Sequence, residues 1–542
     1  MISLAVVALL QAGVSQLAVV DDHIRSEQNI VHYEIVLSIP DRGSSIEAST
    51  SISYRVTGPS HALVLDFDRG FDIDSITLLD GRVARRDEWS WAPREGTGDL
   101  LVITQVGDAG DALSVTVYYH GEPKDGLIIR NNVYGQRTAF ADNWPDRAHL
   151  WFPSEDHPSD KATVSFRIAT PPDWRAVANG RLMGVERGTD SRSRSTWLWR
   201  EDRPIPVHTM VVGAAVMSVA SLGEAGGVPQ TVWTFPQDSA FAVERPFRHA
   251  TDMVDVFSAI LGSFPYEKLA HVQSSTRFGG MENSSAIFYN ESDYASRTMG
   301  EGVVAHEVAH QWFGDAVSQY DWHHLWLSEG FASYFGPLYF QLAGQEETFD
   351  RAMRSNRDRY LRSEVVNRPV IDTTEKNLFN LLNANNYQKG AWVLHMLRAE
   401  LGDSAFFGSV RDFYNTFRDS TALTADFAAI VSRRAGRSMD WFFDQWLLQP
   451  GFPKVDVTWG YDADEHLVWL EARQVQPQQW GIFAFLLPVT VVYADRAVEH
   501  MSVRLDGREP THRFAVTADP VEILLDPEET LLFEVDQLKR IR

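Results

Sequence analysis

From about Asn29 to Ser218 the chain alternates polar and apolar residues, or stays apolar, over short runs broken by Gly, Asp and Pro. H-Y-E-I-V-L-S-I-P, S-I-S-Y-R-V, H-A-L-V-L-D-F, L-L-V-I-T-Q-V and L-S-V-T-V-Y-Y are such runs. A period of two places alternate side chains on one face, so these predict strands of a large all-β domain, bounded at 24–221. The period then changes. After a short β portion, Q-T-V-W-T-F, the apolar residues of F-R-H-A-T-D-M-V-D-V-F-S-A-I-L-G and Y-Q-K-G-A-W-V-L-H-M-L-R-A-E-L-G recur at helical spacing, predicting a mostly helical domain over 222–450. Pro450-Gly451 is a natural break. Beyond it K-V-D-V-T-W, L-V-W-L-E-A-R-Q-V, F-L-L-P-V-T-V-V-Y and V-E-I-L-L-D predict a small C-terminal β-sandwich over 451–542. The expected fold class is multidomain α+β.

Composition narrows the function. The 542 residues are 44% hydrophobic, with 17 Trp and 30 Phe, enough for several sizeable cores. Net charge is −24, which argues against a nucleic-acid partner, since that needs a basic face. Such a surface attracts cations, peptide N-termini among them. There is no cysteine, so disulfides and cysteine zinc sites are excluded. The first residues, M-I-S-L-A-V-V-A-L-L-Q-A-G-V-S, form an apolar run followed by small residues and predict a signal peptide over 1–15, hence export to periplasm or medium. The run is too short to span a bilayer, so no stable membrane insertion is expected. Without a signal the protein would be cytoplasmic.

The chemistry is concentrated in V-V-A-H-E-V-A-H-Q-W-F-G-D and the nearby W-L-S-E-G-F-A. On a helix, His306 and His310 stand about 40° apart on one face, near enough to bind one ion. Glu307 flanks that face, placed as a general base toward water. This is the H-E-x-x-H zinc-peptidase pattern, and Glu329 supplies the third ligand of a His/His/Glu set that leaves a fourth position open. Ser328 reads as an N-cap opening a second helix beside Glu329. His323 and His324, among Trp322 and Trp326, read as packing rather than as a second metal site.

These residues resemble the aminopeptidase N family of zinc exopeptidases, which includes the leukotriene hydrolase branch. W-F-P-S-E-D-H-P-S-D-K-A-T-V-S-F resembles that family's N-terminal domain signature. The resemblance implies a thermolysin-like catalytic domain holding one zinc ion, acting on peptides with a free N-terminus. Asp315 and Ser328 stand where the family usually has Asn. F-G-G-M-E-N matches the family's exopeptidase motif, making Gly279, Gly280, Met281, Glu282 and Asn283 substrate-binding. The glycines let an edge strand approach the substrate backbone, and Glu282 offers a carboxylate to the α-amine. Tyr387, in Y-Q-K-G, matches the family's tyrosine that stabilises the oxyanion. A second amine anchor lies five residues before an arginine in the family; here that is Asp142, with Asn143 adjacent, and a plain loop turn is the competing reading.

The function expected is a zinc aminopeptidase in which Glu307 and Tyr387 are catalytic and His306, His310 and Glu329 hold the metal. The alternatives are an epoxide hydrolase of the leukotriene hydrolase type, suggested by G-G-M-E-N, and an inactive scaffold of the same fold.

Overall fold

The computed structural model describes residues 27–541, apart from 59, 95, 97 and 189–192, together with Leu17 and Arg25. The predicted signal segment lies outside the described residues. Among those described, no helix is long and apolar enough to cross a membrane.

The N-terminal region is built of sheets, as its alternation predicts. Seven strands line up in the order Arg181–Arg187, Ser195–Pro206, Lys161–Thr170, Gln28–Ser38, Ile46–Val56, Ala112–Gly121, Asp72–Leu78. Tyr33, Ile35 and Leu37 of Gln28–Ser38 all point inward and are fully buried, while their neighbours face out. A smaller sheet of Arg175–Ala178, Val212–Ala215, Arg137–Ala141 and Leu127–Asn131 turns toward the middle of the chain. There Phe140 meets Phe288 edge to face at 5.7 Å, joining the two regions through their cores.

The middle region begins earlier than expected. The predicted boundary at 221/222 falls inside the strand Ser218–Ala225, which pairs with Val228–Thr234. Together with Leu269–Ser274, Ala286–Asn290 and the edge strand Gly280–Met281 they form a five-stranded mixed sheet. The helices of the site lie beyond that edge: Glu301–His310, Trp326–Leu342 and Gly390–Leu401. Trp326–Leu342 is buried almost all round, which explains its near-continuous apolar sequence.

The C-terminal region holds two sheets. One orders Thr511–Ala515, Leu467–Gln474, Lys454–Asp462 and Glu534–Arg540, and the other Val498–Leu505, Phe485–Val492 and Glu522–Leu525. Lys454–Asp462 and Glu534–Arg540 run parallel, so the first sheet is mixed.

Candidate active site

The helix Glu301–His310 carries His306 and His310 one turn apart, and their Nε2 atoms face each other at 3.1 Å. Trp326–Leu342 crosses this helix so closely that a Cβ on Gly336 would stand 3.1 Å from the His306 backbone. That approach brings Glu329 Oε2 to 3.5 Å from His306 Nε2 and 3.3 Å from His310 Nε2. Ligand atoms about 2.1 Å from a tetrahedral zinc stand roughly 3.4 Å from one another, so the three atoms already have the spacing zinc requires. Glu329 Oε2 is also buried with no hydrogen-bond donor, which suits it to a cation. His310 Nδ1 donates to the Phe313 carbonyl at 3.1 Å, which leaves its Nε2 lone pair for a metal. The residues fit zinc.

Charge supports the same conclusion. Burial pulls His310 down, but Glu282, Glu329 and Glu307 outweigh it and push the imidazole up to about 10. Burial would raise Glu329, yet His310 and His306 hold it down at about 2. Three carboxylates around two imidazoles bind a positive charge strongly, and a divalent ion satisfies them better than a proton does.

The expected N-cap at Ser328 is corrected. The helix starts at Trp326, and Ser328 sits in its first turn with Oγ 3.1 Å from His310 Nδ1. It supports a ligand rather than a helix end.

Glu307 lies against Gly280. A methyl group at Gly280 would overlap the Glu307 carboxylate, so only glycine lets the edge strand run beside it. Gly279, by contrast, has open space where a side chain would go. Burial, reinforced by Glu282 and Glu329 against the pull of His310, pushes Glu307 well above the usual carboxylate range, the direction a general base needs. Glu282 follows on the same edge, pushed up to about 7 by burial against the pull of His310. Ligand-type atoms of Glu282, Glu307 and His310 lie within 4.8 Å of one another, so Glu282 stands directly beside the metal position.

The loop after Glu282 is held from two sides. Gln311, just past His310, donates to the Glu282 carbonyl at 2.8 Å and to Asp315 Oδ2 at 2.7 Å, and accepts from Ser285 N. Burial pushes Asp315 well above the usual carboxylate range. From the N-terminal region Asn179 donates to the Ser284 carbonyl, Thr209 meets the Ser284 hydroxyl, and Glu201 accepts from the Ser285 hydroxyl. Asn283 is buried, and its carbonyl accepts from Ala286 N. It closes the turn and does not line the cavity, a correction to its expected role in substrate binding.

Tyr387 sits in a π-helical turn, Asn385–Lys389, leading into Gly390–Leu401. Gly330 and Gly390 pack backbone to backbone, a Cβ on the first meeting the other's Cα at 2.9 Å. This draws the turn against the Glu329 helix, and the Tyr387 ring stacks at 7° on His306 with centroids 6.2 Å apart. Burial and the negative charge of Glu329 push the phenol well above its usual range, so it stays a donor.

These groups surround a cavity of about 200 Å³ walled by Trp144, Phe278, Met281 and Leu382 besides the residues above. Trp144 and Leu382 carry no motif, and sequence reasoning missed them. Asp142 is not on that wall. Its fully buried carboxylate pairs with Arg147 at 3.2 Å and Arg277 at 3.3 Å, so its charge is spent on structure and the second amine anchor is not here. Asn143 is likewise structural, donating to the Met210 carbonyl and accepting from Trp151 Nε1. His323 and His324 are bound to Asp321 and Thr424, as the packing reading expects.

Residues 247–446 match the family described as Peptidase family M1 domain, and residues 29–207 the Peptidase M1 N-terminal domain. Over 345 residues the chain is 28% identical to glutamyl aminopeptidase of Sus scrofa, a match covering 59% of this chain and 35% of that protein. The chain thus spans about a third of that relative's length. A mutant of the M1 zinc metallopeptidase from Deinococcus radiodurans has a similar structure, with a TM-score of 0.66 and 23% identity over 78% of this chain and 94% of that one. Legionella pneumophila aminopeptidase A, in complex with aspartic acid, gives 0.80 and 17% over 95% of this chain and 60% of that one. At these identities the two structures carry the fold.

Proposed function

The chain belongs to the peptidase M1 family, and on that premise we propose that it is a zinc-dependent aminopeptidase removing single residues from the N-terminus of peptides. The observation that carries this reading is the Glu282 carboxylate, just past the edge strand Gly280–Met281 and directly beside the metal position. Zinc held by those three residues supplies Lewis-acid polarisation of a carbonyl and lowers the pKa of water to about 7. Glu307 takes a proton from water and returns it to the leaving amine. The Tyr387 hydroxyl donates to the oxyanion of the tetrahedral intermediate. Glu282 pairs with the substrate's α-amine, largely cationic at neutral pH because its pKa is about 8. Gly280–Met281 offers backbone at a sheet edge, where an extended peptide adds as a further strand.

Neither alternative gains support. Base and ligands are all present and assembled, which is not the pattern of an inactive scaffold, and no observation favours epoxide chemistry. We also propose export, which rests on the apolar run at residues 1–15.

The test uses one peptide, free and N-acetylated. The free form should be cut one residue from its N-terminus, and the acetylated form at least about a hundredfold more slowly, as followed by mass spectrometry. Glu282→Ala should narrow that gap, since a charge-assisted bond worth about 1.5–3 kcal/mol is lost, a factor of about ten to a hundred. Internal cleavage of the acetylated peptide at a comparable rate would overturn the aminopeptidase reading and leave the zinc site standing.

Tyr387→Phe removes one hydroxyl and keeps the ring stacked on His306. If that hydroxyl serves the oxyanion, kcat should fall by about a hundredfold or more with KM little changed. A loss confined to KM would make it a ground-state contact instead.

A further inference from the structure

We propose that the site takes peptides whose N-terminal side chain is apolar and rejects those beginning with Glu or Asp. This rests on the aminopeptidase reading and concerns the part of the cavity the chemistry does not use. That part is walled by Trp144, Phe278, Met281 and Leu382, with no lysine or arginine among the described lining residues. Trp144, only 2% exposed, comes from the N-terminal region and meets Phe278 at 5.9 Å, Phe379 at 6.0 Å and Trp322 at 5.6 Å, each edge to face. Rings held this way form a fixed apolar corner.

An acidic side chain entering this corner needs a cation, and the two arginines packed on Phe379 behind it are both engaged. Arg147 pairs with Asp125 at 2.6 Å and Asp142 at 3.2 Å, and donates to the Trp144 carbonyl. Arg277 pairs with the same two carboxylates, at 2.9 Å and 3.3 Å. Two guanidiniums against two carboxylates leave no net charge, and both guanidiniums lie against the Phe379 ring. The group is a clamp behind Trp144, not a receptor for anions. A carboxylate buried there loses its water without gaining a partner. A leucine, methionine or phenylalanine side chain avoids that cost and gains apolar contact. The acidic preference carried in the name of the porcine relative therefore does not transfer.

The experiment compares kcat/KM of the zinc-loaded protein on Leu-, Met-, Phe-, Glu- and Asp-coumarin amides. The apolar substrates should exceed the acidic ones by at least about a hundredfold. Leu382→Arg, which puts a cation on the wall, should narrow the ratio of Leu- to Glu-coumarin amide by at least about tenfold. A second arm needs no turnover: titration calorimetry of the Glu307→Gln protein should detect L-leucinamide and not the α-amide of L-glutamate. Glu- or Asp-coumarin amide turned over within tenfold of the leucine compound overturns the proposal, as does equal binding of the two amides. Failure of every coumarin amide would count against the aminopeptidase reading instead, and the calorimetric arm would still decide the preference.

Discussion

Glu307→Gln should keep a full equivalent of zinc and lose at least about a thousandfold in kcat. The substitution preserves the size and hydrogen-bonding reach of the side chain but removes its ability to accept a proton, and proton transfer by a placed group is worth about 10²–10⁴. Glu307 gathers with Glu282 and His310, whereas the His/His/Glu set assigned to the metal is His306, His310 and Glu329. The Glu307 carboxylate lies beside Gly280, along the strand where substrate backbone would pair. Metal analysis and steady-state kinetics on the same preparation separate the two effects. Turnover near that of the unmodified protein would refute the assignment. Loss of zinc would mean that Glu307 is a ligand.

Glu329→Ala should do the reverse, losing metal first and activity with it. The side chain contributes the oxygen that both imidazoles face, and without it two Nε2 atoms 3.1 Å apart remain as the protein's share of the site. Zinc that binds only the folded protein stabilises it by about 4 kcal/mol at a thousand times its Kd. Dialysis against a chelator should therefore lower the Tm of the native protein and leave that of Glu329→Ala almost unmoved. Full zinc occupancy in the variant would place the third ligand elsewhere.

What could be read from the chain and what could not divide along a physical line. The two histidines and Glu307 share one helix turn, so their spacing alone carries the geometry, and Glu329 follows because its helix packs directly back on theirs. Glu282 and Tyr387 were reachable through resemblance, since strand edges and π turns have no spacing rule of their own. Asp142 was misread for a different reason. One partner, Arg147, lies in the same motif, but the other, Arg277, is 135 residues away in the chain, so the local sequence does not reveal the full pairing. Trp144 and Leu382 have no chemical signature, because an apolar side chain on a cavity wall looks like one in a core. The misplaced boundary at 221/222 reflects S-V-A-S-L-G-E-A, a strand of small and polar residues whose weak alternation does not announce that it starts the middle sheet.

The loop from Glu282 to Ser285 matters for anyone wishing to trim this protein to its smallest working part. Its anchors Asn179, Thr209 and Glu201 belong to the opposite side of the interface, as does Trp144 on the cavity wall. A fragment cut to residues 247–446 would retain both histidines, Glu307, Glu329 and Tyr387. It would also leave the Ser284 carbonyl and the Ser285 hydroxyl without those partners, and remove Trp144 from the aromatic corner. The metal ligands thus sit in one piece of the molecule, whereas the loop that follows Glu282 and the wall of the cavity are held in part by another.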